Sequence, residues 1–118
     1  MRTFYFSVFI VLSLATFIYA CEKDQEEEKQ GYEILIYGRE VCSNCEKLMH
    51  KCDDNNVDYT FYDIDKDSEK RNEMQEKCWE AGFGSSGSVT LPIVDVIVSD
   101  NSYLYENPSF SDILAVLP

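Results

Sequence analysis

The sequence predicts a single α/β domain, and three observations carry that expectation. Apolar, β-branched or aromatic runs recur at Tyr32–Gly38, Val57–Ile64 and Ile93–Val98. The segments between them place their apolar residues at helical spacing. A strand, a helix and a second strand within roughly thirty residues form a right-handed βαβ unit with parallel strands.

Each element has its own signature. Tyr32 to Tyr37 is apolar almost throughout, as in a strand covered on both faces. A helix over Glu46–Asn55 follows, continuing a stripe set by Cys45, Leu48, Met49 and Cys52. Asp53-Asp54-Asn55-Asn56 are poor helix formers and close it. Val57–Ile64 is the second strand. Asp65 to Ser68 offers caps for a second helix, Glu69–Ala81, with Met74, Cys78 and Ala81 on one face. Gly82 to Ser88 is a flexible connection; it lacks the spacing and lysine of a phosphate loop. Leu91-Pro92 opens the strand Ile93–Val98, Ser99 to Ser102 turns, and Tyr103–Tyr105 is a short strand. Asn107 is read as a cap with Pro108 at the first helical position. Phe110, Ile113, Leu114 and Leu117 form the last stripe. The order is β-α-β-α-β-β-α.

Ahead of the domain, Arg2 precedes an uncharged run from Phe4 to Ala20. A basic start, an apolar centre and a small final residue describe a secretory signal, and the run is just short of a comfortable membrane span. Residues 1–20 are therefore read as a signal peptide or a membrane anchor, and the protein as exported. Ile18-Tyr19-Ala20-Cys21 resembles a bacterial lipobox with a bulky Tyr19, so Cys21 is either lipidated or a chance cysteine beside an ordinary cleavage site. Residues 21–31 form an acidic tether with too few apolar groups to build a core. The domain proper is 32–118.

The chain of 118 residues carries a formal net charge of −12. With no basic stripe to displace counterions, nucleic acid is excluded as a partner. Of five cysteines, Cys42 and Cys45 frame Ser43-Asn44 in a CxxC pair between the first strand and the first helix. Two thiols so spaced at a helix start can make and break a disulfide, and the helix N-terminus favours the reactive thiolate. A lone CxxC is equally half of a zinc site.

Three stretches together resemble the glutaredoxin family of the thioredoxin-fold superfamily. They are Ile36-Tyr37-Gly38-Arg39-Glu40-Val41-Cys42-Ser43-Asn44-Cys45, then Tyr59 to Asp65, then Val89-Thr90-Leu91-Pro92-Ile93-Val94-Asp95-Val96. The resemblance implies a thioredoxin-like α/β fold with a four-stranded mixed sheet flanked by helices. It implies a thiol–disulfide oxidoreductase in which Cys42 attacks and Cys45 resolves. It also implies that Pro92 is the family's cis-proline, preceded by Leu91 whose backbone pairs with substrate. Arg39 lies near the family's usual lysine, which pairs with a glutathione carboxylate. Expected substrates are protein disulfides or glutathione mixed disulfides, with glutathione a co-substrate, no bound cofactor or metal, and a monomeric chain. Two departures stand out: Ser43-Asn44 replaces the family's Pro-Tyr or Pro-Phe, and Tyr105-Glu106-Asn107-Pro108-Ser109 replaces its Gly-Gly turn and following aspartate.

Two rival readings are a non-enzymatic metal or iron–sulfur module using Cys42, Cys45, His50 and Cys52, and an adaptor whose CxxC is structural. Four ligands along one helix do not readily enclose a tetrahedral zinc. Cys52 and Cys78 are expected as core residues on opposite faces of the sheet, His50 as solvated, and Trp79 as a packing residue. Asp95 is placed at a sheet edge or in solvent with no assigned role.

Overall fold

The computed structural model describes residues 31–118. The expected targeting segment, Cys21 and all of the tether but Gly31 lie outside the described residues. The elements are β1 (Tyr32–Gly38), α1 (Ser43–Asp54), β2 (Thr60–Asp63), α2 (Ser68–Ala81), β3 (Ile93–Val98), β4 (Asn101–Glu106) and α3 (Phe110–Leu114). They build one mixed sheet in the order β2-β1-β3-β4. β2 runs parallel to β1, while β3 and β4 join antiparallel.

The central strands are apolar because both sheet faces are covered. Ile34 and Ile36 of β1, with Val94 and Val96 of β3, pack against Leu48 of α1 and Ile113 of α3. Leu35, Tyr37 and Ile93 face the other way, onto Met74 and Cys78 of α2. Burying an aliphatic side chain of this size contributes about 1.5–3 kcal/mol. Cys52 and Cys78 are both free and buried, one on α1 and one on α2, as expected.

Several boundaries differ from the sequence reading. α1 begins at Ser43 rather than Glu46, because the Cys42 side chain caps it by accepting the Cys45 N–H. β2 is only four residues, paired with Leu35 to Gly38. Val57 and Tyr59 pack on the core without joining the ladder, and the Val57 N–H donates to the Cys52 carbonyl at 2.9 Å to close α1. β4 is longer than expected, matching all of β3 across a tight turn at Ser99, whose φ is 56°. Ser109, not Asn107, caps α3: Ser109 and Asp112 form a reciprocal capping box. Asn107 instead adopts a φ of 47°, and its N–H donates to the Pro92 carbonyl at 2.8 Å. α2 stops at Gly82, whose φ of 78° lets the chain turn back with its N–H on the Trp79 carbonyl at 3.1 Å.

Two side chains are corrected outright. Trp79 is not a packing residue; it is 81% exposed, because it lies on the outer side of α2 next to the buried Cys78. Asp95 is neither solvated nor at an edge. It is 2% exposed on β3, opposite Leu35, and faces α2. Lys77 Nζ donates to Asp95 Oδ2 at 2.9 Å and to the Tyr37 hydroxyl at 2.8 Å, and the Ser102 hydroxyl donates to Asp95 Oδ1. Lys77 also lies 3.5 Å from Glu73. This network satisfies a buried carboxylate that would otherwise be costly.

Removing one partner of such a pair strands the other. Asp95→Ala is expected to lower the unfolding free energy by about 3 kcal/mol, read from urea denaturation. Alkali should act through the core. Burial, aided by the Asp53 charge, pushes the Cys52 thiol up to about 11. Burial also raises Cys78 and Tyr37. Each group keeps its proton in the folded chain at a pH where the unfolded chain has lost it, so stability falls as pH rises. With Cys42 and Cys45 oxidised, the unfolding free energy should decline from about pH 8.5, the ordinary thiol range, onward. Cys52→Ala should make that decline shallower.

Candidate active site

The end of β1 is buried through Gly38 and meets the start of α1. A Cβ built on Gly38 would lie 2.6 Å from Cys45 Sγ and 3.1 Å from Phe61 Cε2. Only a glycine lets the strand approach the first helix this closely. The chain then passes through Arg39, Glu40 and Val41. Arg39 Nε is 3.3 Å from Asp65 Oδ1, and Lys66 Nζ is 2.7 Å from Glu40 Oε2. These exposed pairs tie the loop before the dithiol to the turn after β2. Val41 is 95% exposed.

Cys42 and Cys45 are joined as a disulfide, with Cα atoms 5.3 Å apart. Cys42 has extended backbone, with φ −144°, and is the N-cap of α1. Its sulfur accepts the Cys45 N–H at 3.2 Å, and its carbonyl accepts the Glu46 N–H at 3.0 Å. The two cysteines differ sharply in access. Cys42 is half-buried with exposed neighbours on both sides, while Cys45 is fully enclosed. Cys45, Leu48 and Cys52 make the buried side of α1, where the sequence stripe placed them.

The other expected site residues approach from β3. The Leu91–Pro92 bond is cis, and Pro92 is fully buried. Tyr37 pairs with Ile93, so Pro92 stands at the same end of the sheet as Gly38. Two contacts hold this segment: the Pro92 carbonyl takes the Asn107 N–H, and the Thr90 N–H donates to Glu106 Oε1 at 2.7 Å. Leu91 lies two residues before Ile93, the first paired residue of β3. Arg39 is engaged by Asp65. The four candidate metal ligands are split, since the His50 side chain is 72% exposed and 4.0 Å from Glu46, whereas Cys45 and Cys52 are buried. Among the described residues no three His, Cys, Asp or Glu side chains gather to hold a metal.

Two residues that shape the site were not singled out from sequence. Gly38 ends an apolar strand four positions before Cys42, and that abrupt loss of a side chain was the available signal. Asn107 carries a local signal too, that of a helix cap, which does not point to the Pro92 carbonyl.

The mixed sheet, its flanking helices and the dithiol at the start of α1 place the chain in the thioredoxin-fold superfamily. Within it the chain belongs to the glutaredoxin family, whose model, Glutaredoxin, matches residues 34–96. The glutaredoxin-like protein NrdH-redoxin of Escherichia coli is similar in structure, with a TM-score of 0.51 and 21% identity over 73% of this chain and 96% of that one. A glutaredoxin of Archaeoglobus fulgidus gives a TM-score of 0.45 and 21% identity over 69% of this chain and 84% of that one, below the level at which a shared fold follows. No curated protein matches the sequence. The family and the Cys42–Cys45 pair together support thiol–disulfide redox chemistry.

Overpacking a close approach costs about 1–3 kcal/mol. Gly38→Ala is therefore expected to destabilise the oxidised chain by about that amount in urea denaturation. An unchanged midpoint would mean that α1 shifts freely away from β1.

Proposed function

We propose that this chain is an exported thiol–disulfide oxidoreductase in which Cys42 is the attacking thiol and Cys45 the resolving one. One observation carries the reading. Cys42 caps α1 within reach of a partner and accepts a backbone N–H, while Cys45 is enclosed behind it. In the reduced chain the same N–H group and the helix dipole favour a Cys42 thiolate. Burial favours a protonated Cys45 until its turn comes.

The chemistry balances as follows. The Cys42 thiolate attacks one sulfur of a substrate disulfide and displaces the other as a thiolate, giving a mixed disulfide. Cys45 gives up its proton, attacks Cys42 Sγ and releases the second substrate sulfur. Two electrons pass from the dithiol to the substrate, and Cys42–Cys45 is left oxidised. The reverse sequence oxidises a substrate dithiol.

Leu91 and Pro92 are the proposed docking edge, because the backbone of Leu91 extends past the paired end of β3. Protein disulfides are the favoured substrates, with glutathione mixed disulfides second. Arg39 is held by Asp65, and no Gly-Gly turn precedes α3. A chain of this fold accommodates such a preference: the E. coli protein is described as glutaredoxin-like with a thioredoxin-like activity profile. Export rests on Arg2 and the uncharged run from Phe4 to Ala20, and the acidic residues after Cys21 suit a tether, lipidated or free. In an exported setting a disulfide persists, so the partner that resets the couple is itself a redox protein or a small thiol.

Trapping tests the roles. Cys45→Ser should accumulate a covalent substrate adduct on Cys42, visible by non-reducing electrophoresis and mass spectrometry. Cys42→Ser should form no adduct and lose exchange activity by at least about a hundredfold, since the attacking thiolate is gone. Activity surviving Cys42→Ser would sink the assignment.

A further inference from the structure

A cleft of about 240 Å³ opens between α1 and the start of α3. Asn44, Lys47, Leu48 and Lys51 form its α1 wall, and Pro108 and Phe110 stand opposite. Asn44 is one of the two residues inside the CxxC, so the cleft begins at the lip of the dithiol. Positions 44, 47, 48 and 51 share one side of the helix and run about 10 Å along it. That length matches about three residues of extended chain.

Its electrostatics set it apart. Among the described residues Arg39, Lys66, Lys70 and Lys77 are paired with carboxylates, whereas Lys47, Lys51 and Arg71 make no ion pair; of these three, Lys47 and Lys51 line the cleft and Arg71 lies away on α2. Both cleft lysines are exposed. The two carboxylates that flank the α3-side wall in sequence are both occupied: Glu106 accepts the Thr90 N–H, and Asp112 is held in the capping box with Ser109. Two unpaired ammonium groups thus stand along a cleft of mixed lining, with Leu48, Pro108 and Phe110 its apolar part, that starts beside the dithiol of a chain whose net charge is −12.

Building on the redox reading above, we infer that this cleft is a specificity site for acidic polypeptide. It receives a substrate segment whose Asp or Glu residues lie within about three positions of the attacked cysteine. Lys47 and Lys51 take the carboxylates, and Leu48 and Phe110 take the apolar parts of the same segment. The rest of the acidic surface repels such a segment, so the cleft both attracts it and fixes where it lands.

The test presents the reduced full chain with two synthetic disulfide-linked peptides. They differ only in Glu against Gln at the three positions beside the cysteine. Exposed ion pairs are each weak, so the acidic peptide should be reduced about fivefold faster at low ionic strength. The ratio should shrink as salt is added. It should fall to about one in Lys47→Gln/Lys51→Gln and invert in Lys47→Glu/Lys51→Glu. Equal rates for the two peptides, or a preference that survives the double substitution, would overturn the inference and leave the redox reading standing. Reduction of neither peptide by the wild-type chain, with the Cys42 thiol free by alkylation, would overturn the redox reading and this inference with it. A lysine-dependent preference for a glutathione mixed disulfide, without one for the acidic peptide, would assign the cleft to glutathione and overturn the polypeptide.

Discussion

The contact between Gly38 and the sulfur of Cys45 is the constraint on which the site depends. It brings the buried end of the central strand against the first turn of α1. The helix can then begin at Cys42, with its free N–H groups beside the dithiol. A side chain at position 38 would force the helix away from the sheet and loosen Cys45 from its enclosure. Strand end, helix start and disulfide are one packed unit, and the loop between them is fastened from outside by Arg39–Asp65 and Glu40–Lys66.

The two faces of the sheet divide the labour. On the α1 and α3 face lie the dithiol, Cys52 and the lysine-lined cleft. On the α2 face lies the Lys77–Asp95–Tyr37 network, extended by Ser102 from β4. That network joins α2 to three strands through polar contacts in an otherwise apolar layer. It is specific in a way an apolar contact is not, since a one-residue slip of β3 would turn Asp95 to the wrong face. The Asn107 N–H on the Pro92 carbonyl makes the corresponding link between the start of β3 and the approach to α3.

Much of this was legible in the sequence. The order of elements followed from hydrophobic period alone, because both faces of the sheet are covered and the helices are amphipathic. Cys42 and Cys45 could be placed because a CxxC between a strand and a helix has few geometries open to it. The misreadings share one cause, which is that they depend on contacts between residues far apart in the chain. Asp95 looked like a surface residue until Lys77 and Ser102 were brought to it. Trp79 looked like core because it is large and apolar, yet its helix turns its neighbour Cys78 inward instead. Asn107 and Ser109 are both good caps locally, and the choice between them was made by the Pro92 carbonyl and by Asp112. The Arg39–Asp65 pair also joins two segments, and so could not be read from either one alone.

The placement of the remaining thiols has its own consequence. Cys52 lies two turns beyond Cys45 on the same helix, about 10 Å away along the axis. Cys78 lies on α2, behind the sheet. The β-sheet therefore works as an insulator, and helix spacing as a gap, between the working couple and two spare thiols of similar intrinsic chemistry. Among the described residues, neither spare thiol is placed to drain the couple into a dead-end bridge. The described part of the molecule stores one pair of electrons at one terminal, and it can be charged or discharged only by something that docks from outside.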